Sequence, residues 1–190
     1  MATTKLSDSG TLGNKYENLS ADNNYMETIA STLVSAGGST NVEFNNIPQT
    51  YAHLQLRILG RSTLSASLDN LSMYFNNDTT NSYATHFLSG NGSSASSGAF
   101  TSSPRFYIPS LFPAATSNQF AGTIIDILDY KNTNKYKTVR ILSGFDANGS
   151  GAISLVSGLW MNTAAITRFN CETSLGIPQN SRLSLYGIKG

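Results

Sequence analysis

Short runs in which apolar and polar residues alternate recur along most of this 190-residue chain, and turn residues separate them. The run Ala52–Arg61 places an apolar side chain at every second position as far as Ile58, and Leu71–Phe75 repeats the pattern. A period of two is typical of a β-strand that buries one face. No stretch carries the apolar stripe of an amphipathic helix, so we expect an all-β protein without a substantial helix.

The pattern predicts about ten or eleven strands at a spacing of roughly ten residues, which indicates an antiparallel sandwich or a barrel. The predicted strands lie in the runs Glu27–Ser35, Asn41–Asn45, Ala52–Arg61, Leu71–Phe75, Ser82–Leu88, Phe106–Ile108, Thr123–Tyr130, Tyr136–Phe145, Ile153–Met161, Ala165–Cys171 and Arg182–Ile188.

Three connections between these runs are distinctive. Gly37 and Gly38 separate the first two runs, which predicts a hairpin with a Gly-Gly turn. Lys131–Lys135 is interpreted as the loop of a second hairpin. Ser89–Pro104 is rich in Gly and Ser and nearly free of apolar residues, so we predict a long loop there. Loops of that length are usually functional or mobile.

Uncharged polar residues supply most of the polar surface, because only 12% of the residues are charged and the net charge is +1. A balance this close to neutral provides no strong field to attract nucleic acid or an anionic membrane. Nine Phe, nine Tyr and one Trp still supply bulky apolar surface for a core. We expect a folded domain with no nucleic-acid partner and no membrane insertion.

Two regions differ in composition. Residues 1–24 are polar and aperiodic and hold no apolar core of signal-peptide length, so we interpret them as an extended N-terminal arm. Residues 25–190 form the β-domain. Isolated apolar or aromatic side chains in the arm are candidate docking residues, because such a segment orders when it lies on another protein surface. These residues are Leu6, Leu12, Tyr16 and Leu19.

No arrangement of residues indicates catalysis, a metal site or a cofactor. The two histidines, His53 and His86, lie in strand-like runs without the spacing of a metal site. The single cysteine, Cys171, excludes an intramolecular disulfide and a thiolate cluster. The chain also has no Gly-x-Ser-x-Gly motif. We therefore expect that the protein is not an enzyme and that it has no catalytic residues, no metal ligands and no cofactor.

The charged residues of the second predicted hairpin have a structural interpretation. Asp126 and Asp129 lie on opposite faces of one predicted strand, which is unsuited to the carboxylate pair of a glycosidase. We expect Asp126 to pair with a residue such as Arg140 and Asp129 to be solvated. A basic run on the same hairpin is also interpreted as solvated: Lys131, Lys135, Lys137 and Arg140.

Four segments of the chain resemble a domain of tailed-phage structural proteins, best known from phages of marine bacteria and cyanobacteria. The segments are IPQTYAHLQLRILGRS (47–62), GTIIDILDYKNTNKYKTVR (122–140), SGLWMNTAAITRF (157–169) and SRLSLYGIK (181–189). That domain often ends a tail-fibre or capsid-surface protein. The resemblance spans about residues 26–190 and implies a jelly-roll-like β-sandwich knob, a homotrimer displayed on the virion surface.

Two functions are consistent with this resemblance. The first is a capsid-decorating or cementing knob, docked on another virion protein through residues 1–24. The alternative is the receptor-binding tip of a tail fibre, which would bind a host surface glycan through the predicted loop. The candidate glycan-binding residues are Asn91, Ser93, Ser94 and Phe100. Because the chain carries no long shaft or coiled coil ahead of the knob, we favour the first function.

Overall fold

A computed structural model describes residues 25–64, 68–113 and 118–190. These ranges form twelve strands and contain no helix, so they offer none that could span a membrane. The strands are β1 (Met26–Leu33), β2 (Ser39–Phe44), β3 (His53–Gly60), β4 (Leu68–Phe75), β5 (Tyr83–Gly90), β6 (Ala95–Ser103), β7 (Phe106–Pro113), β8 (Ala121–Leu128), β9 (Lys137–Asp146), β10 (Gly151–Trp160), β11 (Phe169–Ile177) and β12 (Arg182–Ile188).

The strands form two sheets in which all paired neighbours run antiparallel. The large sheet has eight strands in the order β1-β12-β3-β8-β9-β10-β5-β6, and the small sheet has four in the order β2-β11-β4-β7. Buried side chains from both sheets form one apolar cluster. The prediction of an all-β antiparallel sandwich is therefore confirmed, and the described residues form twelve strands where about ten or eleven were expected.

Alternation along each strand directs one set of side chains into the core. Leu54, Leu56 and Ile58 of β3 and Leu71, Met73 and Phe75 of β4 are buried, as the sequence pattern predicts. Aromatic rings fill the middle of the interface between the sheets. The Phe75 ring lies 5.4 Å from both the Phe106 and the Trp160 rings, in edge-on contacts, and 6.2 Å from Phe169. This ring cluster joins strands of both sheets.

The segment Ser89–Pro104 is not a long loop. Most of it forms β6, which pairs with β5 in the register from Gly90 with Ala95 to Thr85 with Phe100. Gly92 and Ser93 make the tight turn, and the Asn91 N–H donates to the Ser94 carbonyl at 3.1 Å. The prediction failed because β6 is an exposed edge strand of small residues. Its backbone pairs normally, but no alternation of apolar residues marks it.

The first two strands do not form the predicted hairpin. β1 pairs with β12 in the large sheet, whereas β2 pairs with β11 in the small sheet. Gly37 and Gly38 do turn the chain, with φ of 95° and 75°, conformations that favour glycine. The turn chemistry was therefore interpreted correctly, but it serves a crossing between sheets. A local turn signal does not determine which strands pair.

Asp78, in the turn after β4, accepts hydrogen bonds that connect this turn to the ring cluster. Its carboxylate accepts the Trp160 indole N–H at 2.7 Å, the Ser82 hydroxyl at 2.7 Å and the Thr80 backbone N–H at 3.0 Å. Burial alone would raise the pKa of Asp78, but the hydrogen bonds from Thr80, Ser82 and Trp160 outweigh it and lower the pKa to about 2.

We predict that Asp78→Asn lowers the free energy of unfolding at pH 7 by about 1–2 kcal/mol, because the bonds to a charged acceptor are weakened. The folded-state pKa lies below the usual value of 3.8. The stabilisation is therefore complete above about pH 4 and is lost as the pH falls towards 2. Urea unfolding at pH 7 and at pH 2.5 measures both effects. The free energies of unfolding of Asp78→Asn and wild type should differ less at pH 2.5 than at pH 7. An equal difference at both pH values would contradict this account.

Candidate functional site: the outer face of the large sheet

The outer face of the large sheet carries a row of exposed aliphatic side chains. Strand register aligns Ile124 of β8 with Leu142 of β9, Leu142 with Leu155 of β10, and Leu155 with Leu88 of β5. The residues on either side of each along its strand are buried or half-buried. Ile124 is 40% exposed and Leu155 is 58% exposed. Four neighbouring strands thus present one continuous apolar row to the surroundings.

A second row lies beside the first and contains three glycines. It runs from Leu59 of β3 through Gly122 and Gly144 to Ile153 of β10 and then to Gly90. Leu59 is 53% exposed and Ile153 is 58% exposed. We call the exposed aliphatic residues of the two rows the aliphatic face: Leu59, Leu88, Ile124, Leu142, Ile153 and Leu155.

Polar residues form the row on the other side. In register across the sheet these are Gln55, Asp126, Arg140, Ser157 and His86. They and most of the aliphatic face line a shallow depression of about 780 Å³. A contiguous apolar surface with a polar margin is typical of a protein interaction site rather than of a surface that faces only water.

The carboxylate of the polar row is already engaged. Asp126 accepts a hydrogen bond from the Gln55 side chain at 2.9 Å, and the Arg140 guanidinium lies 3.9 Å from it. The predicted pairing of Asp126 with Arg140 is confirmed. Arg57 in turn donates to the Gln55 side-chain oxygen at 2.8 Å and lies over the Tyr186 ring. This chain of contacts links Arg57, Gln55, Asp126 and Arg140 along the margin of the aliphatic face.

The outer face of the small sheet is different in character. Glu43 accepts hydrogen bonds from Asn170 at 2.9 Å and from Arg168 at 3.1 Å, and Arg105 forms an ion pair with Glu172. This face therefore carries charged and amide side chains that pair with one another, in contrast to the aliphatic face. The contrast between the two faces identifies the large sheet as the better candidate for a binding surface.

The candidate glycan-binding residues do not form one site. Asn91, Ser93 and Ser94 lie in the β5–β6 turn, where the Asn91 side-chain oxygen accepts the backbone N–H of Ser93 at 3.1 Å and of Ser94 at 2.8 Å. Phe100 lies five residues farther along β6 than Ala95, roughly 17 Å at the rise of an extended strand. Its ring packs on Phe87, at 5.9 Å between centroids. The docking residues Leu6, Leu12, Tyr16 and Leu19 lie outside the described residues.

Two expectations about the β8–β9 hairpin were wrong. Asp129 is not simply solvated, because it forms an ion pair with Lys135, whose hydrogen bond lowers the pKa of Asp129. Lys137 is fully buried, and its ammonium donates to the carbonyls of Lys135 at 3.0 Å and Thr163 at 2.9 Å. Burial lowers the pKa of Lys137. The sequence placed both residues beside a loop, where solvation is the usual outcome.

The histidines lie at separate places. His53 accepts the Asp129 backbone N–H at 2.9 Å through Nδ1, and His86 is exposed in the polar row. Within the described ranges, no group of three or more His, Cys, Asp or Glu residues could hold a metal ion. Cys171 is buried in the core, and burial raises the pKa of its thiol to about 12.

The sequence contains a signal of the aliphatic face, although the alternation pattern alone did not predict this face. Ile124 and Ile125, Ile141 and Leu142, and Leu155 and Val156 are adjacent apolar pairs. Adjacent positions of a strand point to opposite faces, so such pairs indicate a strand that is apolar on both faces. Three neighbouring strands with this property predict an outer face that is apolar as well.

Comparison of the chain with protein-family models, with curated proteins and with solved structures finds no match.

We predict that copies of the chain associate through the aliphatic face, so that Leu142→Asp with Leu155→Asp lowers the mass of the protein in solution. The double variant should stay folded, because both side chains project outward and are about half exposed. Multi-angle light scattering should give more than 20.3 kDa for wild type and a smaller mass for the double variant than for wild type, with unchanged far-UV circular dichroism. Leu175→Asp is the control, since Leu175 is 64% exposed but lies on β11 of the small sheet. A wild-type protein of 20.3 kDa at micromolar concentration would contradict the prediction.

Proposed function

We propose that the chain is a structural protein of a phage virion, a jelly-roll-like knob that decorates or cements the capsid surface and is anchored by residues 1–24. The observation that carries the proposal is the aliphatic face, which suits packing against protein and offers no reactive group. The resemblance of four segments to tailed-phage structural proteins supplies the context. A sandwich with one polar outer face and an apolar patch on the other is suited to a subunit of an assembly.

The size of the large sheet fits a stable subunit contact. Eight strands at about 4.8 Å spacing and roughly eight residues long give an outer face near 38 by 27 Å, or about 1,000 Å². A standard protein interface buries about 800 Å² on each partner. Completing the burial of a half-exposed aliphatic side chain contributes roughly 1 kcal/mol. Six such residues can offset much of the cost of association.

We assign the aliphatic face to contacts between copies of this chain, in the homotrimer that the resemblance implies. With only 12% charged residues, identical copies experience little mutual repulsion. The margin of the face also carries both signs of charge, in Asp126 and Arg140, so it does not exclude a second copy. The arm then remains available for a different partner, a capsid or tail protein of the virion.

The arm begins at a suitable place for docking. Tyr25, the first described residue, is 69% exposed and precedes β1, an edge strand of the large sheet. Twenty-four residues can span at most about 80 Å, far enough to reach beyond the domain. One arm with four isolated anchors would bind weakly, whereas three arms of a trimer would bind through avidity.

The alternative function, a glycan-binding tip of a tail fibre, has less support. The predicted loop is mostly an edge strand, and its amide oxygen at Asn91 is engaged within the turn. The aliphatic face lacks the aromatic rings on which sugars stack. A host glycan is therefore a partner only under this alternative function.

Deleting residues 1–24 should leave a folded, soluble knob that no longer attaches to virions, because the arm supplies the docking contacts and the domain supplies the fold. The measurement is co-sedimentation of the full-length and truncated proteins with particles depleted of this protein. Circular dichroism and light scattering check that the truncated knob still folds and assembles.

Leu6→Ser with Leu12→Ser, Tyr16→Ser and Leu19→Ser in the full-length chain is the matched control for length. Like the truncated protein, this variant should not bind to virions. If the truncated knob occupies particles as fully as wild type, the β-domain itself carries the docking surface and the arm has another role.

A further inference from the structure

Three of the four edge strands that the structure describes carry features that prevent pairing with another strand. β1 has a register shift between Thr28 and Ala30, and it contains Glu27. β2 contains Glu43 and pairs irregularly with β11. β7 contains two prolines, which lack an N–H donor, and has a register shift against β4. Bulges, charges and prolines are the usual protection of edge strands.

The fourth edge strand, β6, lacks this protection over most of its length. The sequence of β6 is ASSGAFTSS, without a charged residue or a proline. Its register with β5 is regular from Ala95 to Phe100, and the shift occurs only beyond that point. Ala95, Ser97 and Ala99 are all exposed. An uncharged edge with regular register is a template for an added strand.

The β5–β6 turn determines which backbone groups point outward. The Asn91 N–H donates to the Ser94 carbonyl, so these two residues form a hydrogen-bonded pair. Such pairs alternate with non-bonded pairs along an antiparallel ladder. Ser96 and Gly98 therefore direct their backbone groups to β5, together with Phe100. Ala95, Ser97 and Ala99 direct their N–H and C=O groups away from the sheet.

We propose that β6 pairs with β6 of a second copy of this chain, antiparallel, across a two-fold axis that passes between the two Ser97 residues. In this register Ser97 faces Ser97 of the second copy, and Ala95 faces Ala99. Every outward N–H and C=O of these residues then has a partner. A register displaced by two residues would leave some of them unpaired.

The side chains of β6 fit self-pairing. The cross-strand contacts join Ser to Ser and Ala to Ala, so no like charges meet and no bulky groups collide. A two-fold contact needs a patch that is complementary to itself, and an uncharged strand of small residues meets this condition. The occupant is therefore a second copy rather than a peptide with large or charged side chains.

This contact is separate from the aliphatic face and goes beyond the proposed function. The aliphatic face buries the broad surface of the sheet, whereas β6 extends the sheet sideways by joining two eight-stranded sheets edge to edge. A virion protein could use such a contact to connect neighbouring knobs. Cross-links between β6 strands test this contact alone, so failure of the docking or trimer proposals leaves it intact.

The experiment is disulfide cross-linking of the full-length chain. In the proposed register the Cα atoms of the two Ser97 residues lie about 5.5 Å apart, within the range of about 4.4–6.8 Å that a disulfide spans. Ser97→Cys should form a covalent dimer under mild oxidation, seen on a non-reducing gel. Ser96→Cys is the matched control, since Ser96 faces Gly98 and lies roughly 9 Å from its copy. The native Cys171 is fully buried.

A second pair of variants tests the register without a residue on the axis. Ala95→Cys and Ala99→Cys, one of them carrying a size tag, should cross-link several-fold more in a mixture than either does alone. Both positions are exposed, so both variants should fold, as circular dichroism will check. Cross-linking of Ser96→Cys equal to that of Ser97→Cys would overturn the proposal, and so would Ala95→Cys or Ala99→Cys forming dimers alone, or the absence of dimers throughout.

Discussion

The register of the central antiparallel ladder, from β3 through β8, β9 and β10 to β5, is the constraint on which the rest of the structure depends. Because side chains alternate along a strand, one register determines both the inner and the outer face. It brings Ile125, Ile127 and Val139 into the core and lines up Ile124, Leu142 and Leu155 outside. A slip of one residue in β9 would move the buried Lys137 to the surface and Arg140 inward. The core and the candidate binding face are thus two consequences of one pairing.

The same ladder explains which parts of the fold could be predicted. The core-facing apolar residues of β3 and β4 alternate with mostly polar ones, so the pattern was visible in the sequence and these buried apolar residues were predicted correctly. β6 buries almost no side chain. It is defined by its backbone pairing with β5, so no side-chain pattern marks it in the sequence. The separation of β1 from β2 depends on contacts with β12 and β11, more than a hundred residues away. Local turn chemistry carries no information about such partners.

The candidate site was harder to predict than the fold for a related reason. Leu88, Ile124, Leu142 and Leu155 are scattered over nearly seventy residues and become neighbours only through the register of four strands. Each alone is an unremarkable apolar residue in a strand. The predicted loop residues Asn91, Ser93 and Ser94 were contiguous and therefore easier to notice, yet their polar groups are used within the turn. Lys137 is the opposite case, because it follows a loop in the sequence and yet is buried. Its ammonium donates to the Thr163 carbonyl, which belongs to a distant segment.

The scarcity of charge is common to the aliphatic face and the edge strand β6. A protein that stays apart from its copies keeps charges on its edges and a polar outer face. The small sheet follows that rule, with Glu43, Arg168 and Glu172 on its outer face. The large sheet departs from it twice, in the aliphatic face, which extends from β3 to β5, and in β6, the edge strand next to β5. Chance exposure of single apolar residues would scatter over the surface. Both features lie on one sheet, whereas the opposite sheet carries charged pairs on its outer face, and a contiguous exposed apolar surface of this kind is typical of a protein interaction site.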